Sequence, residues 1–352
     1  MTDRQQSPRL SGAWASFRSR PKPVSGVVVP AAVVIAILMP VIVGSGSLFF
    51  WTTVIISILF ATAANLLFGV ADIPSFGQAA FFGAGAYTAA LSVPHQWPAP
   101  LALLAAIVVA GVTALIIAMI TWRATGLAFA MLTLAIAQAL YTLVVKTDAL
   151  GGYNGLPGLV APSLGPFNLA SARTYWYFTL ICVAVGMAAF WQIRRSPFGH
   201  MLASIRENPV RAAYLGINIR AYRAAAFAIA GCGAGLAGGL SAYANTIVTP
   251  DSLDWTQSAV PIIMLLLGGR AFYWGPALGA VILSWLLNDL SQVTAAYFFY
   301  IGVLLLVVLL VVPEGLLSIS RSFRDWRSGA HPRPGRGLLP RRVRHNRDGR
   351  TT

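Results

Sequence analysis

The chain has 352 residues, of which 57% are hydrophobic and only 10% charged, with a mean hydropathy of +0.72 and a formal net charge of +15. A soluble domain carries roughly 25% charged residues, so this composition cannot furnish a soluble surface, and one buried core of this size exceeds what a single domain supports. What remains is an all-α, polytopic transmembrane helical bundle, whose apolar runs each approach the ~20 residues that cross ~30 Å of hydrocarbon.

In chain order, residues 1–26 form a polar, basic leader with Arg4, Arg9, Arg18, Arg20 and Lys22. The following apolar run, 27–43, is longer than the 7–15 residues of a signal-peptide core, so a retained first span is preferred over cleavage near Gly44-Ser45-Gly46. About ten spanning or partly spanning segments are predicted: 27–43, 48–70, 77–93, 101–121, 127–145, 175–193, 224–244, 255–267, 276–290 and 295–312. With the N-terminus inside, 23 of the 25 basic residues fall on the inner side and only Lys146 and Arg173 outside. That bias predicts an N-in, C-in arrangement.

Within the apolar segments, polar side chains are few. Asn65, Gln78, Tyr87 and Gln138 are the candidates for lining a translocation path, with interhelical hydrogen bonding as the alternative role. Small residues predict close helix packing: Gly83 on 77–93, and Gly231, Gly235 and Gly239 at every fourth position of 224–244, flanked by Ala234, Gly238 and Ala242. Segments 255–267 and 276–290 are short, and Arg270 lies between them. A charge at the bilayer centre costs several kcal/mol, so the pair reads as a hairpin with Arg270 at the inner face; a re-entrant loop is the alternative.

The stretch 194–223 is the most polar interior loop. Asn208 suits a helix N-cap, Pro209 the first helical position and Gly216 the left-handed position after the last turn. A helix over 209–215 sets Val210, Ala213 and Tyr214 on one face, either as a docking surface for a soluble partner or as a helix lying on lipid headgroups. Residues 318–352 form an arginine-rich tail of disordered composition. Its charge is explained by membrane topology and lipid rather than by nucleic-acid binding.

Chemistry is conspicuous by its scarcity. Cys182 and Cys232 both sit in apolar runs, and the four histidines are scattered, so neither a metal site nor a disulfide framework is expected. Lys22 and Lys146 are the only lysines and follow no phosphate-cradling glycine loop, so an ATP-driven process would need a nucleotide site on another polypeptide. Asp72 and Asp289 lie at segment ends, and the lack of carboxylates within spans argues against an ion-coupled carrier. No nucleophile–base set is readable, so the chain is not expected to be an enzyme and no cofactor of its own is expected.

Five collinear blocks between about residues 55 and 317 then carry a resemblance: NLLFGVADIPSFGQAAFFGAGAY, RATGLAFAMLTLAIAQ, GGYNGLPG, the run SPFGHMLASIRENPVRAAYLGINIRAYRAAAFAIAGCGAGLAGGLSA and GGRAFYWGPALGA. Together they resemble the LivM-type permease of branched-chain amino acid ABC importers. The resemblance implies a permease domain over 27–317 that works with a second homologous permease, two cytoplasmic ABC ATPases that bind the ATP, and an extracytoplasmic substrate-binding protein in a bacterial inner or plasma membrane. It also implies that loop 194–223 is the coupling segment, carried here by Arg206, Glu207, Asn208, Ala212 and Gly216, with Pro209, Val210, Ala213 and Tyr214 on the same short helix. Asp72-Ile73-Pro74 departs from the family's usual glycine-led sequence at that place, and Pro74 is expected to interrupt the backbone hydrogen bonds there. The expected cargo is branched-chain or similar small amino acids, with urea or short amides as the alternative. A stand-alone carrier or channel is the reading from another class.

Overall fold

The computed structural model describes residues 34–40, 44–159, 169–293, 296–311 and 315–317. The basic leader, the arginine-rich tail and part of the first predicted span lie outside these residues, although 34–40 are helical. The helices are α1 (Ser45–Asn65), α2 (Gln78–Ser92), α3 (Ala99–Thr121), α4 (Gly126–Val145), α5 (Ala172–Arg195), α6 (Pro197–Glu207), α7 (Pro209–Tyr214), α8 (Ile219–Asn245), α9 (Trp255–Gly268), α10 (Gly275–Val293) and α11 (Tyr297–Val311). Two-residue strands β1 (Leu156–Pro157) and β2 (Ile247–Val248) pair antiparallel, Leu156 opposite Val248, and form the one sheet among the described residues.

Five of these elements are long and apolar enough to cross a membrane: Gly46–Ala71, Ala99–Thr121, Gly126–Val145, Ala172–Arg195 and Ile219–Asn245. Helices α2, α9 and α11 have 15, 14 and 15 residues. At about 1.5 Å per residue they reach only ~20–23 Å. Helices thus occupy every predicted segment within the described residues, with full-length spans at half of them.

The seam between α3 and α8 is built of small residues. On α3, Ala102, Ala106, Ala110 and Ala114 are fully buried, whereas Leu104, Val108, Ile116 and Met119 on the other side are exposed. The alanine face meets the Gly231, Gly235 and Gly239 stripe of α8. A Cβ on Gly231 would lie 2.8 Å from the Ala110 carbonyl oxygen, and one on Gly235 would lie 2.7 Å from that of Ala106. A Cβ on Gly239 would lie 2.9 Å from Leu103 Cδ2. The second stripe faces α2: a Cβ on Gly238 would sit 1.9 Å from the Phe82 carbonyl oxygen, and one on Gly85 of α2 would sit 2.2 Å from that of Gly235. Gly83 instead opens room for Leu253, in the short turn Pro250–Leu253 before α9.

Helices α9 and α10 form a hairpin at the same close range. A Cβ on Gly279 would lie 1.8 Å from the Met264 carbonyl oxygen, and one on Gly268 would lie 1.7 Å from that of Gly275. Arg270 sits in the connecting turn with its side chain 57% exposed, so the short segments are joined as a hairpin.

Gly238→Val should therefore lower the stability of the solubilised protein by roughly 1–3 kcal/mol or abolish folding, as overpacking does. Gly302→Val, where an added Cβ meets nothing within 4 Å, should leave it unchanged. Thermal unfolding in detergent distinguishes the two; equal melting would mean that α8 and α2 do not approach at backbone distance.

Candidate functional site

Between α1 and α2 the chain loses its helix inside the bundle. After Asn65 the backbone widens into a π-helical turn, Leu66–Ala71, and ends on Asp72 in the left-handed region at φ 53°. Aspartate is one of the few residues other than glycine that visit this region readily. The Ile73 N–H closes the turn by donating to the Leu67 carbonyl at 2.9 Å. Pro74, which has no N–H, keeps 72–77 out of helix.

Side chains brace this break. The Phe76 N–H donates to Thr133 Oγ1 at 3.1 Å, and the Gly77 N–H donates to Ser75 Oγ at 3.2 Å. Ser258 holds the downstream end of the break to the start of α2: its hydroxyl donates to the Phe76 carbonyl at 2.7 Å and accepts from the Ala79 N–H at 2.8 Å. Ser75, Thr133 and Ser258 are fully buried. Irregular backbone at membrane depth persists only when buried in protein and satisfied in this way.

All four predicted path residues hold a buried polar atom without a hydrogen-bond partner among the described residues: Asn65 Oδ1, both amide atoms of Gln78, Tyr87 Oη and Gln138 Oε1. Gln78 is the extreme case, fully buried at the first position of α2. Asn65 makes one bond, from Nδ2 to the Phe272 carbonyl at 3.4 Å. The four do not meet in one pocket. Asn65 borders the π-turn, and Gln78 begins the helix beyond the break. Tyr87 lies nine residues, ~14 Å, further along α2, and Gln138 follows Thr133 by five residues on α4. Sequence reasoning missed Ser75, Thr133 and Ser258. Serine and threonine in apolar helices usually bond their own backbone, as Thr52 does to the Leu48 carbonyl at 2.8 Å, so residue type gives no warning.

The loop 194–223 holds two capped helices rather than the single one read from sequence. In α6, Pro197 takes the first position and Ser196 caps, its Oγ accepting from the Gly199 N–H at 3.5 Å. In α7, Asn208 Oδ1 accepts from the Arg211 N–H at 2.9 Å. Gly216 at φ 80° closes α7, with the Gly216 and Ile217 N–H groups donating to the Ala213 and Ala212 carbonyls. Glu207, Asn208, Pro209, Val210, Ala213, Tyr214 and Gly216 are exposed, Tyr214 at 89%. Ala212 points inward at 3% exposure, so a charge there would unseat α7 rather than probe a docking face.

Arg206 also turns into the molecule. Its guanidinium Nη1 donates to the Gly69 carbonyl at 2.6 Å, inside the π-turn. The same region receives the α9–α10 turn: Arg194 Nη2 donates to the Ala271 carbonyl at 2.8 Å, and Arg270 Nη1 lies 3.4 Å from Asp72 Oδ1. Tyr273 donates its hydroxyl to the Met187 carbonyl and meets Trp191 edge-on at 4.7 Å between ring centroids. Burial raises the Tyr273 pKa, with the Arg194 charge opposing, so the phenol stays a donor. No group of three or more His, Cys, Asp or Glu able to hold a metal occurs among the described residues.

Residues 46–313 match the family described as the branched-chain amino acid transport system / permease component. The chain belongs to this family. It is a multi-pass membrane protein and a transport subunit of an ABC transporter, not an enzyme, and it carries no cofactor of its own. Among relatives, it is 25% identical over 333 residues to the high-affinity branched-chain amino acid transport system permease protein LivM of Escherichia coli strain K12, covering 85% of this chain and 76% of that one. The probable branched-chain amino acid transport permease protein LivM of Methanocaldococcus jannaschii is 28% identical over 204 residues, covering 52% and 58%. The guanosine ABC transporter permease protein NupQ of Bacillus subtilis is 30% identical over 144 residues, covering 39% and 41%. No solved structure matches the chain.

In this permease, Ser258→Ala removes both bonds at the downstream end of the break and should cost roughly 1–3 kcal/mol, the penalty for stranding buried polar groups. Unfolding of the solubilised protein measures it; a variant as stable as wild type would mean that the break is not braced by Ser258.

Proposed function

We propose that this permease forms part of the translocation pathway of an ATP-driven ABC importer for branched-chain or similar small amino acids. It would work with a second homologous permease, two cytoplasmic ATPases and an extracytoplasmic substrate-binding protein. The amino acid reading rests on the LivM relative that spans most of both chains, whereas the guanosine permease aligns with well under half of each.

The observation that carries the mechanism is the Arg206–Gly69 hydrogen bond. It ties helix α6 of the loop to the π-turn whose downstream break leads to Gln78. A push on the exposed α7 face, Val210 and Tyr214, reaches α6 through the cap at Asn208 and then the π-turn through Arg206. The broken segment and Gln78 would respond, with Asn65, Tyr87 and Gln138 offering polar contacts in succession along the path. Discontinuous helices with irregular backbone serve as solute sites in other transporter folds.

Reconstituted complex tests both halves. Val210→Glu should leave the permease folded but impair ATPase engagement, giving at least a tenfold loss of uptake, about 1.4 kcal/mol of coupling. Gln78→Leu should leave ATPase binding intact and lower uptake alone. Normal uptake in Val210→Glu would return α7 to the role of a helix lying on headgroups, and normal uptake in Gln78→Leu would remove Gln78 from the path.

We also propose the N-in, C-in orientation, with 194–223 and Arg270 inside. In its support, Asp72, Trp122, Arg220 and Arg223 share one cavity and Arg270 pairs with Asp72, so these basic loops cluster at one end of the bundle. The β1–β2 pairing joins the 146–174 loop to the α8–α9 connection at the other. A cysteine replacing His200 should resist a membrane-impermeant thiol reagent in intact cells, and one replacing Asn154 should react. The opposite pattern would reverse the orientation.

A further inference from the structure

At the arginine-rich end, a cavity of 130 Å³ opens between α3, α4 and α8. Arg220 and Arg223 line it one helical turn apart, so both guanidinium groups lie on one face of α8. The Arg220 guanidinium carbon lies 3.9 Å from the ring centroid of Trp122, which fixes one edge of the site. Arg223 Nε is buried and has no hydrogen-bond partner among the described residues. The cavity's one acid, Asp72, is already paired with Arg270. Two cations therefore face a concavity without a counter-charge of their own.

The backbone adds to this field. Helices α4 and α8, of 20 and 27 residues, both begin at the cavity wall, at Gly126 and Ile219. Helix N-termini favour anions, and planar guanidinium groups match phosphate oxygens two at a time. Apart from Thr121 and Thr125 the rest of the lining is apolar, with Phe129 and Phe227 among it. Beside it, Met119 of α3 and Leu127 and Met131 of α4 are exposed at 64%, 77% and 65%. A free phosphate would leave that apolar surface unused, whereas a lipid would lay an acyl chain along it. Basic pockets between spans near the cytoplasmic face hold anionic headgroups.

We propose that this cleft binds the phosphate group of an anionic phospholipid, with Arg220 and Arg223 as its ligands and the outer faces of α3 and α4 as the seat of its acyl chains. The cleft borders the break at Asp72, Ile73 and Pro74 but is read through lipid retention rather than uptake, so its failure is distinguishable from failure of the transport reading.

The test uses the intact complex in nanodiscs containing equal phosphatidylglycerol and phosphatidylcholine, followed by native mass spectrometry of retained lipid. Wild type should retain phosphatidylglycerol over phosphatidylcholine by about thirtyfold, given about 1 kcal/mol for each of two basic residues near the surface. Arg220→Gln with Arg223→Gln should bring the ratio to parity. Arg195→Gln with Arg211→Gln, an equal change of charge outside the cavity, should keep it. Thr125→Phe fills the cavity while retaining both arginines, and should lose the preference even if the double variant fails to assemble. Equal preference in wild type and Thr125→Phe would overturn the proposal. So would displacement of the lipid by inorganic phosphate, which would make the site one for the free anion.

Discussion

In lipid an apolar side chain gains nothing by leaving its surroundings for a neighbouring helix, so a bundle is held by how closely its backbones approach. Here that approach is decided on α8. Gly231 and Gly235 admit the α3 backbone, and Gly238 admits the α2 backbone on an adjacent face. The partners are matched: four alanines of α3 recur at the same interval as the glycines they meet. On α3 most large apolar residues have no place in this seam and go outward, Leu103 and Ile117 excepted. That produces an exposed surface of leucine, valine and methionine that only a membrane or another membrane protein can cover.

The seam makes the break between α1 and α2 possible. With α2 clamped between α8 and α3, the chain entering it can lose helical hydrogen bonds without letting the bundle open. The freed groups at Phe76, Gly77 and Ala79 are then met by hydroxyls from Ser75, α4 and α9. The proposed path would need this order of construction: rigid packing first, then irregular backbone, then side chains such as Gln78 that keep unspent hydrogen-bonding capacity. Buried, unpartnered amide atoms cost stability, and a protein keeps them where something transient supplies the missing partner.

How much of this was legible in the sequence differs by kind of signal. Hydropathy located the helices, because apolar length depends on composition alone. The glycine stripes of α8 were visible because every fourth residue repeats on one helix, whereas the facing alanines of α3 were hidden among ordinary apolar residues. Asn208, Pro209 and Gly216 announced α7 through cap chemistry; Ser196 and Pro197 carry the same signature, but α6 went unread within a loop taken as irregular. Asn65, Gln78, Tyr87 and Gln138 stood out as polar types in apolar runs, and the structure leaves a polar atom of each unpartnered. What no local pattern could give were long-range pairings: Arg206 with Gly69, Arg270 with Asp72, and Ser258 with Phe76 and Ala79. These depend on which ends of which helices meet.

Asp72 shows how a departure from a family pattern can be absorbed. Where related permeases commonly carry glycine, this chain has a residue at φ 53°. Any β-branched or bulky side chain would be strained there, and aspartate is among the least penalised alternatives. The substitution keeps the turn and adds a carboxylate near Arg270, joining the end of α1 to the α9–α10 hairpin. Both side chains are about half exposed, so the pair contributes at most about 1 kcal/mol. Its consequence is geometric rather than energetic. The π-turn is held from one side by Arg206 of the loop and from the other by the hairpin through Asp72 and Asn65. A displacement of the loop must then move the hairpin as well as the break.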